Sequence, residues 1–293
     1  MTDAVSKDWV LRQRAYRYRC VRDRRVQTLT EARAFVDDLG FVHFWPIKDV
    51  ELPNLFHAIA GCARPVPMEH DDADMSKCWG WKDSSLGQRW WYYGKLLRRR
   101  ATLVSLEVLP YFYALSENFG SLDDYLQEYE DGLMTAEARA IYEALLELGP
   151  LDTVQLRREA RMSAESAKSR FDRALSELQV GLKVMPIGVA EAGAWNYAFT
   201  YEIVQRHLPE LPEQARSIGR GEARRHLVRR YLDNVIAADR KMIAKVFHVL
   251  KWTPRELEHV VSVLIDEREV REVRIEGMRT PHLVSVRALE NLH

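Results

Sequence analysis

Apolar residues recur at helical and strand spacing most clearly between Met134 and Tyr201. Ala138, Ile141, Tyr142, Leu145 and Leu148 fall on one face of a helix that Thr135 is placed to cap and Gly149-Pro150 to end. A short helix follows, with Leu151, Val154, Leu156 and Ala160 apolar. Ser163 is placed to cap a third, in which Ala164, Ala167, Phe171, Ala174, Leu175 and Leu178 are spaced at three and four. Leu182 to Met185 and Trp195 to Tyr201 alternate as strands do, and Gly188 to Gly193 is predicted to turn between them.

The pattern repeats from Arg220 to Leu289. A long helix carries Leu227, Tyr231, Leu232, Val235 and Ile236; a second begins near Asp239 with Ile243, Val246 and Phe247. Thr253-Pro254-Arg255-Glu256 has the form of a capping box with proline at the first helical position. A third helix holds Leu257, Val260, Val261, Leu264 and Ile265. Val270 to Ile275 and Leu283 to Val286 form a hairpin around Gly277. Three helices and a hairpin, met twice, predict winged-helix units: a mainly α fold with small β-hairpins (α+β). The first unit exposes Lys168, Arg170 and Arg173 on its third helix, a surface that fits the major groove. The second exposes Glu256, Glu258, Asp266 and Glu267 there, which phosphate repels. Its DNA side is therefore expected on the arginine-rich first helix, at Arg220, Arg224 and Arg225, unless the unit is structural.

The first 120 residues are less regular. Leu11 to Val21 and Thr30 to Leu39 read as helices, Phe41 to Ile47 is apolar and aromatic, and Trp79 to Tyr93 is rich in tryptophan. Ser121 to Asp131 reads as an acidic helix or linker. The expected division is 1–120, 121–210 and 211–293.

Composition adds little to this, but charge distribution does. The 43 basic and 43 acidic residues cancel, so net charge gives no support to a nucleic-acid partner. Their placement does. Leu11 to Arg25 holds seven arginines, Arg12, Arg14 and Arg17 among them, against one acid. Lys95, Arg98, Arg99 and Arg100 form a second cluster, and Arg216 to Arg230 a third. Each is either a solvated, ion-paired face or a phosphate contact; guanidinium suits the latter through its planar fork. No apolar run reaches the ~20 residues of a membrane span. The polar stretch Met1 to Val10 lacks a signal core, so a cytoplasmic location is expected. Three scattered cysteines do not suggest a disulfide framework. Cys62, His70 and Cys78, eight residues apart, match no usual zinc pattern. No phosphate loop or nucleophile elbow is present, and neither a cofactor nor a metal is expected.

Two segments carry a family resemblance. Leu39-Gly40-Phe41-Val42-His43-Phe44-Trp45-Pro46-Ile47 is similar to the motif of the winged-helix (AlkZ/YcaQ-like) DNA glycosylases, in which a leucine-glycine precedes a glutamine, an apolar residue and a glutamine or aspartate. Trp79-Gly80-Trp81-Lys82-Asp83 resembles the family's tryptophan-glycine-histidine stretch. The resemblance implies three tandem winged helices and excision of alkylated or crosslinked bases from double-stranded DNA. At the two catalytic positions this chain departs from the pattern: His43 replaces glutamine, and Trp45 replaces glutamine or aspartate. Indole has one N–H donor and no acceptor, so Trp45 cannot hold a water by accepting its proton. His43 can if neutral, and Asp83, within the second motif, is the candidate for the missing carboxylate. The expectation is a pocket with His43 and Asp83 as catalytic groups and Trp45, Trp79 and Trp81 stacking on a base. Against it, His43 also fits a structural histidine and the tryptophans fit core packing. Three readings stay open: a glycosylase of altered chemistry, a non-catalytic DNA binder acting in damage sensing or regulation, and a protein-interaction module. A monomer associated with the nucleoid is expected under the first two.

Overall fold

The computed structural model describes residues 4–68, 71–193 and 195–290. Helix makes up 52% and strand 15%, so the fold is mixed but mainly helical. One order of elements occurs three times: helix, strand, two helices, then two antiparallel strands.

In the first unit these are α2 (Leu29–Leu39), β2 (Phe41–His43), α3 (Leu55–Ala60), α4 (Ala73–Ser85), β3 (Trp91–Lys95) and β4 (Ala101–Ser105), with sheet order β2-β4-β3. They follow β1 (Ala4–Val5) and α1 (Lys7–Arg17), and lead through α5 (Leu109–Tyr113) and α6 (Asp124–Glu130) to the second unit. That unit comprises α7 (Ala136–Leu148), β5 (Leu151–Asp152), α8 (Thr153–Glu159), α9 (Lys168–Val180), β6 (Val184–Ala190) and β7 (Ala198–Ile203), ordered β5-β7-β6. After α10 (Val204–His207) and α11 (Leu211–Arg216), the third comprises α12 (Arg220–Val235), β8 (Ala237–Ala238), α13 (Arg240–Val246), α14 (Pro254–Asp266), β9 (Val270–Ile275) and β10 (His282–Ser285), followed by α15 (Val286–Glu290). Its sheet runs β1-β9-β10-β8.

Local chemistry explains several boundaries. The side chains of Thr135, Asp239 and Thr253 accept the N–H groups of Ala138, Met242 and Glu256 at the starts of α7, α13 and α14. Gly40 ends α2 at φ +80°, where a β-carbon would come within 2.8 Å of Val108 Cγ2, so the turn into β2 requires glycine.

Some expectations need correction. The helix expected from Ser163 begins at Lys168, because Glu165–Ala167 forms a 3-10 turn first. The expected turn at Gly188 is a strand irregularity: β6 continues through Ala190, with its register shifted between Pro186 and Gly188. The first helix spans Lys7–Arg17 rather than Leu11 to Val21. The N-terminal strand joins the sheet of the third unit, not that of the unit it precedes. β1 pairs in parallel with β9, and Val5, Trp9 and Val10 share a core cluster with Ile236, Ala237, Val273, Ile275 and Val284. A larger core, with Tyr92, Tyr113, Tyr231 and Phe247 fully or nearly fully buried, joins all three units.

Candidate nucleic-acid interface

The end of α9 abuts β3: Gln179 Oε1 accepts the Lys95 N–H at 2.8 Å, and the Tyr92 hydroxyl donates to the Gln179 carbonyl at 2.8 Å. This junction of the first and second units forms an open cleft of about 630 Å³. The first unit contributes Trp45 to Lys48 and Tyr93 to Lys95, then Arg98 to Ala101. The second contributes Gln179, Pro186, Phe199 and Tyr201.

Five cations line the cleft, Lys48, Lys95, Arg98, Arg99 and Arg100, and no carboxylate does. None of the five makes an ion pair among the described residues. The β3–β4 turn presents three of them. Buried Leu96 and Leu97 anchor it, and Thr102 Oγ1 accepts the Leu97 N–H at 3.2 Å while donating to the Arg100 carbonyl at 2.8 Å. Arg98 and Arg99 both sit at positive φ, 56° and 55°. Unpaired guanidinium groups on a strained turn beside aromatic surface suit an anionic, planar ligand.

The expected site residues do not converge as one pocket. Trp45 lines the cleft and stacks on Trp79, with ring centroids 6.4 Å apart. Trp79, Lys82 and Asp83 share a face of α4 by their three- and four-residue spacing. Trp81 lies off that face and packs, partly buried, at the edge of the first unit's core. Lys82 is fully buried: Nζ is 2.6 Å from Asp83 Oδ1 and donates to the Tyr197 hydroxyl at 2.7 Å, and that hydroxyl donates to Asp83 Oδ1 at 2.8 Å. Asp83 is therefore engaged structurally and lies outside the cleft lining.

His43 corrects the expectation more sharply. It ends β2, paired with Thr102, and is 1% exposed. Neither ring nitrogen makes a hydrogen bond of good geometry. Burial pushes its pKa down to about 4, and the neighbouring Ala101 carbonyl offsets only part of that. A side chain without access to the cleft cannot take a proton from a water held there. Its protonation acts on stability instead. Between pH 6.5 and about 4 only the unfolded chain takes up this proton, so stability falls as pH drops through that window. His43→Phe should reduce the difference in unfolding free energy between pH 7 and pH 4.5 by roughly 2–3 kcal/mol, measured by urea titration. An unchanged difference would show that His43 titrates normally.

Most of the other basic candidates have protein partners. Arg14 donates to the carbonyls of Val235 and Ala237, each at 2.9 Å, closing the C-terminus of α12, and pairs with Glu51. Arg17 pairs with Asp38. On α12, Arg224 pairs with Glu256, Arg225 with Glu267 and Arg220 with Glu117. Two of the arginines expected to face phosphate there, Arg224 and Arg225, instead neutralise acids in and just after α14, while Arg220 reaches Glu117. Arg12 is exposed, as are Lys168, Arg170 and Arg173; Arg170 reaches Glu137 at 3.4 Å and Arg173 its own helix carbonyl at Ser169. Cys62 is exposed and Cys78 buried, while His70 lies outside the described residues. Among the described residues no cluster of three metal-ligating side chains occurs, and no helix is long and apolar enough to cross a membrane.

A family model described as AlkZ related matches residues 26–248, which include both motif segments and the whole cleft. The chain belongs to the AlkZ-related family. Among solved structures, the DNA glycosylase AlkZ of Streptomyces sahachiroi is similar, with a TM-score of 0.61 and 16% identity over 99% of this chain and 72% of that one. At that identity the likeness is one of fold. No curated protein matches the chain. Within the AlkZ-related fold, the signal for the cleft was the Lys95–Arg100 cluster. Gln179, Phe199 and Tyr201 carried no local signal of their own.

Proposed function

We propose that this chain is a duplex-DNA-binding protein of three winged-helix units, corresponding to 1–120, 121–210 and 211–293 apart from its N-terminal strand and helix. It seats a displaced nucleotide in the cleft and does not excise it by the motif of its glycosylase relatives. The observation that carries this reading is the cleft wall: five uncompensated cations beside aromatic side chains, with no carboxylate. Phosphate meets the cations, and an unstacked base meets Trp45 and the neighbouring rings. Stacking of that kind contributes roughly 1–3 kcal/mol per base, enough to offset the few kcal/mol needed to displace one. The resemblance to a protein named as a DNA glycosylase supports DNA as the partner. Excision needs a group that orients water or steadies a positive sugar, and neither buried His43 nor acceptor-free Trp45 supplies one. A DNA-bound monomer, associated with the nucleoid, follows from the same reading.

Binding to a short duplex should weaken steeply with salt, because the cations release condensed counterions. Arg170→Ala and Arg173→Ala should each reduce affinity if the exposed face of α9 follows the groove. Undetectable binding at low salt, or salt-independent binding, would overturn the reading. Abasic sites formed in a duplex carrying alkylated bases would overturn its non-excising half.

A further inference from the structure

The chemistry of the cleft is one-sided, and Gln179 makes it directional. Gln179 is 3% exposed and sits at the end of α9, held through both its side-chain oxygen and its backbone carbonyl. Because Oε1 accepts the Lys95 N–H, the amide orientation is fixed. Nε2 has no partner among the described residues, and the residue lines the cleft. With Oε1 engaged by Lys95, the amide turns the two N–H donors of Nε2 towards a ligand. Apart from tyrosine hydroxyls, which donate and accept, and the indole N–H of Trp45, the remaining polar side chains of the wall are ammonium and guanidinium groups. They too only donate.

We infer that the cleft selects an unstacked nucleotide whose base is neutral and presents acceptors, that it disfavours cationic, ring-alkylated purines, and that Gln179 sets this choice. The inference rests on the reading of the cleft as a DNA-contacting site. A guanine offers O6 and N7 to an amide donor. Alkylation at N7 removes that acceptor and places a full positive charge on the ring. Aromatic faces alone attract a cation, but here five like charges with no carboxylate on the wall oppose it. A buried amide left facing a group that cannot accept is also unfavourable. A cleft suited to cationic lesions would instead carry an acid or an acceptor on its wall.

The test uses three duplexes of one sequence at low salt: fully paired, with a single bulged guanine, and with a single bulged N7-methylguanine. The full chain should bind the guanine bulge about tenfold more tightly than the N7-methylguanine bulge. Gln179→Glu keeps an oxygen for the Lys95 N–H and nearly the same volume, but turns the donor into an anionic acceptor. It should shrink the ratio of the two bulge affinities to about threefold or less. The ratio is internal to each protein, so a general loss of affinity cancels. Equal affinity of the unsubstituted chain for both bulges, with intact binding to the paired duplex, overturns the selectivity alone. So does an unchanged ratio in Gln179→Glu. Failure to bind all three duplexes overturns the DNA reading together with it.

Discussion

Arg98→Gly/Arg99→Gly is expected to lower duplex affinity on the order of 100-fold and to reduce the salt slope by about 2, without lowering the melting temperature. The two halves of this expectation have different origins. Each guanidinium stands free of carboxylates at the rim of the cleft, so each lost phosphate contact removes a charge-assisted hydrogen bond and one released counterion. The backbone argues the other way. Both residues occupy positive φ, which a side chain disfavours and glycine adopts freely. The buried leucines and Thr102 that anchor the turn remain in place. Replacement by glycine should therefore leave stability equal or raise it by about 1 kcal/mol per site. Few substitutions separate binding from folding in this way. Calorimetry and fluorescence anisotropy on one preparation read both quantities. A stable variant with native affinity and salt slope would place the phosphate contacts elsewhere. A lower melting temperature would show that the two arginine side chains hold the turn.

Where local chemistry decides, the chain can be read without the structure. Thr135, Asp239 and Thr253 mark helix starts because a capping oxygen needs only its own first turn. The apolar stripe of α14 and the ends of β9 follow from the same short-range patterns. What stayed hidden depends on distant partners. The arginines of α12 look free in sequence because their acids are distant: Glu256 and Glu269 lie some thirty to forty residues after Arg224 and Arg229, and Glu117 and Glu107 lie far before Arg220 and Arg230. Arg14 shows no sign of its role, since the carbonyls it closes belong to Val235 and Ala237. β1 is two residues long and finds its neighbour at Arg274 and Ile275. The cleft itself was half legible. Lys95 to Arg100 announces charge, but only the packing of α9 and β7 against β3 brings Gln179 and Phe199 beside it. The departure at His43 was visible, and its burial was not. β2 is buried on both faces, so it lacks the alternation that would reveal which side a residue takes.

Asp83→Asn should destabilise the protein by about 3–5 kcal/mol, because it strips the counter-charge from a fully buried ammonium. Lys82 lies between α4 and the approach to β7, with its Nζ 4.2 Å from the Trp79 ring centre, 4.4 Å from Phe199, 5.3 Å from Tyr197 and 5.8 Å from Tyr93. Burial pushes its pKa down, and the hydrogen bond and charge of Asp83 partly restore it. Ring faces help an ammonium but do not replace a carboxylate. Without Asp83 the lysine must stay charged and unpaired or give up its proton, and either costs stability. Lys82→Met should be far milder. The apolar chain fills the same space among the rings, and Asp83, being partly exposed, recovers hydration. Lys82→Met/Asp83→Asn should therefore recover most of what Asp83→Asn alone loses, a coupling that a double-mutant cycle measures directly. The pH dependence supplies an independent check. In Asp83→Asn the folded-state lysine pKa falls further below its unfolded value, so between those values the unfolded chain binds more protons than the folded one. Stability must then rise with pH, and the variant should be partly rescued between pH 7 and 10, more than the unsubstituted chain. If Asp83→Asn melts like the unsubstituted protein at pH 7, with no rise toward pH 10, the ammonium is not held by Asp83. The link between the first and second units, and with it the shape of the cleft, would then rest on the aromatic contacts alone.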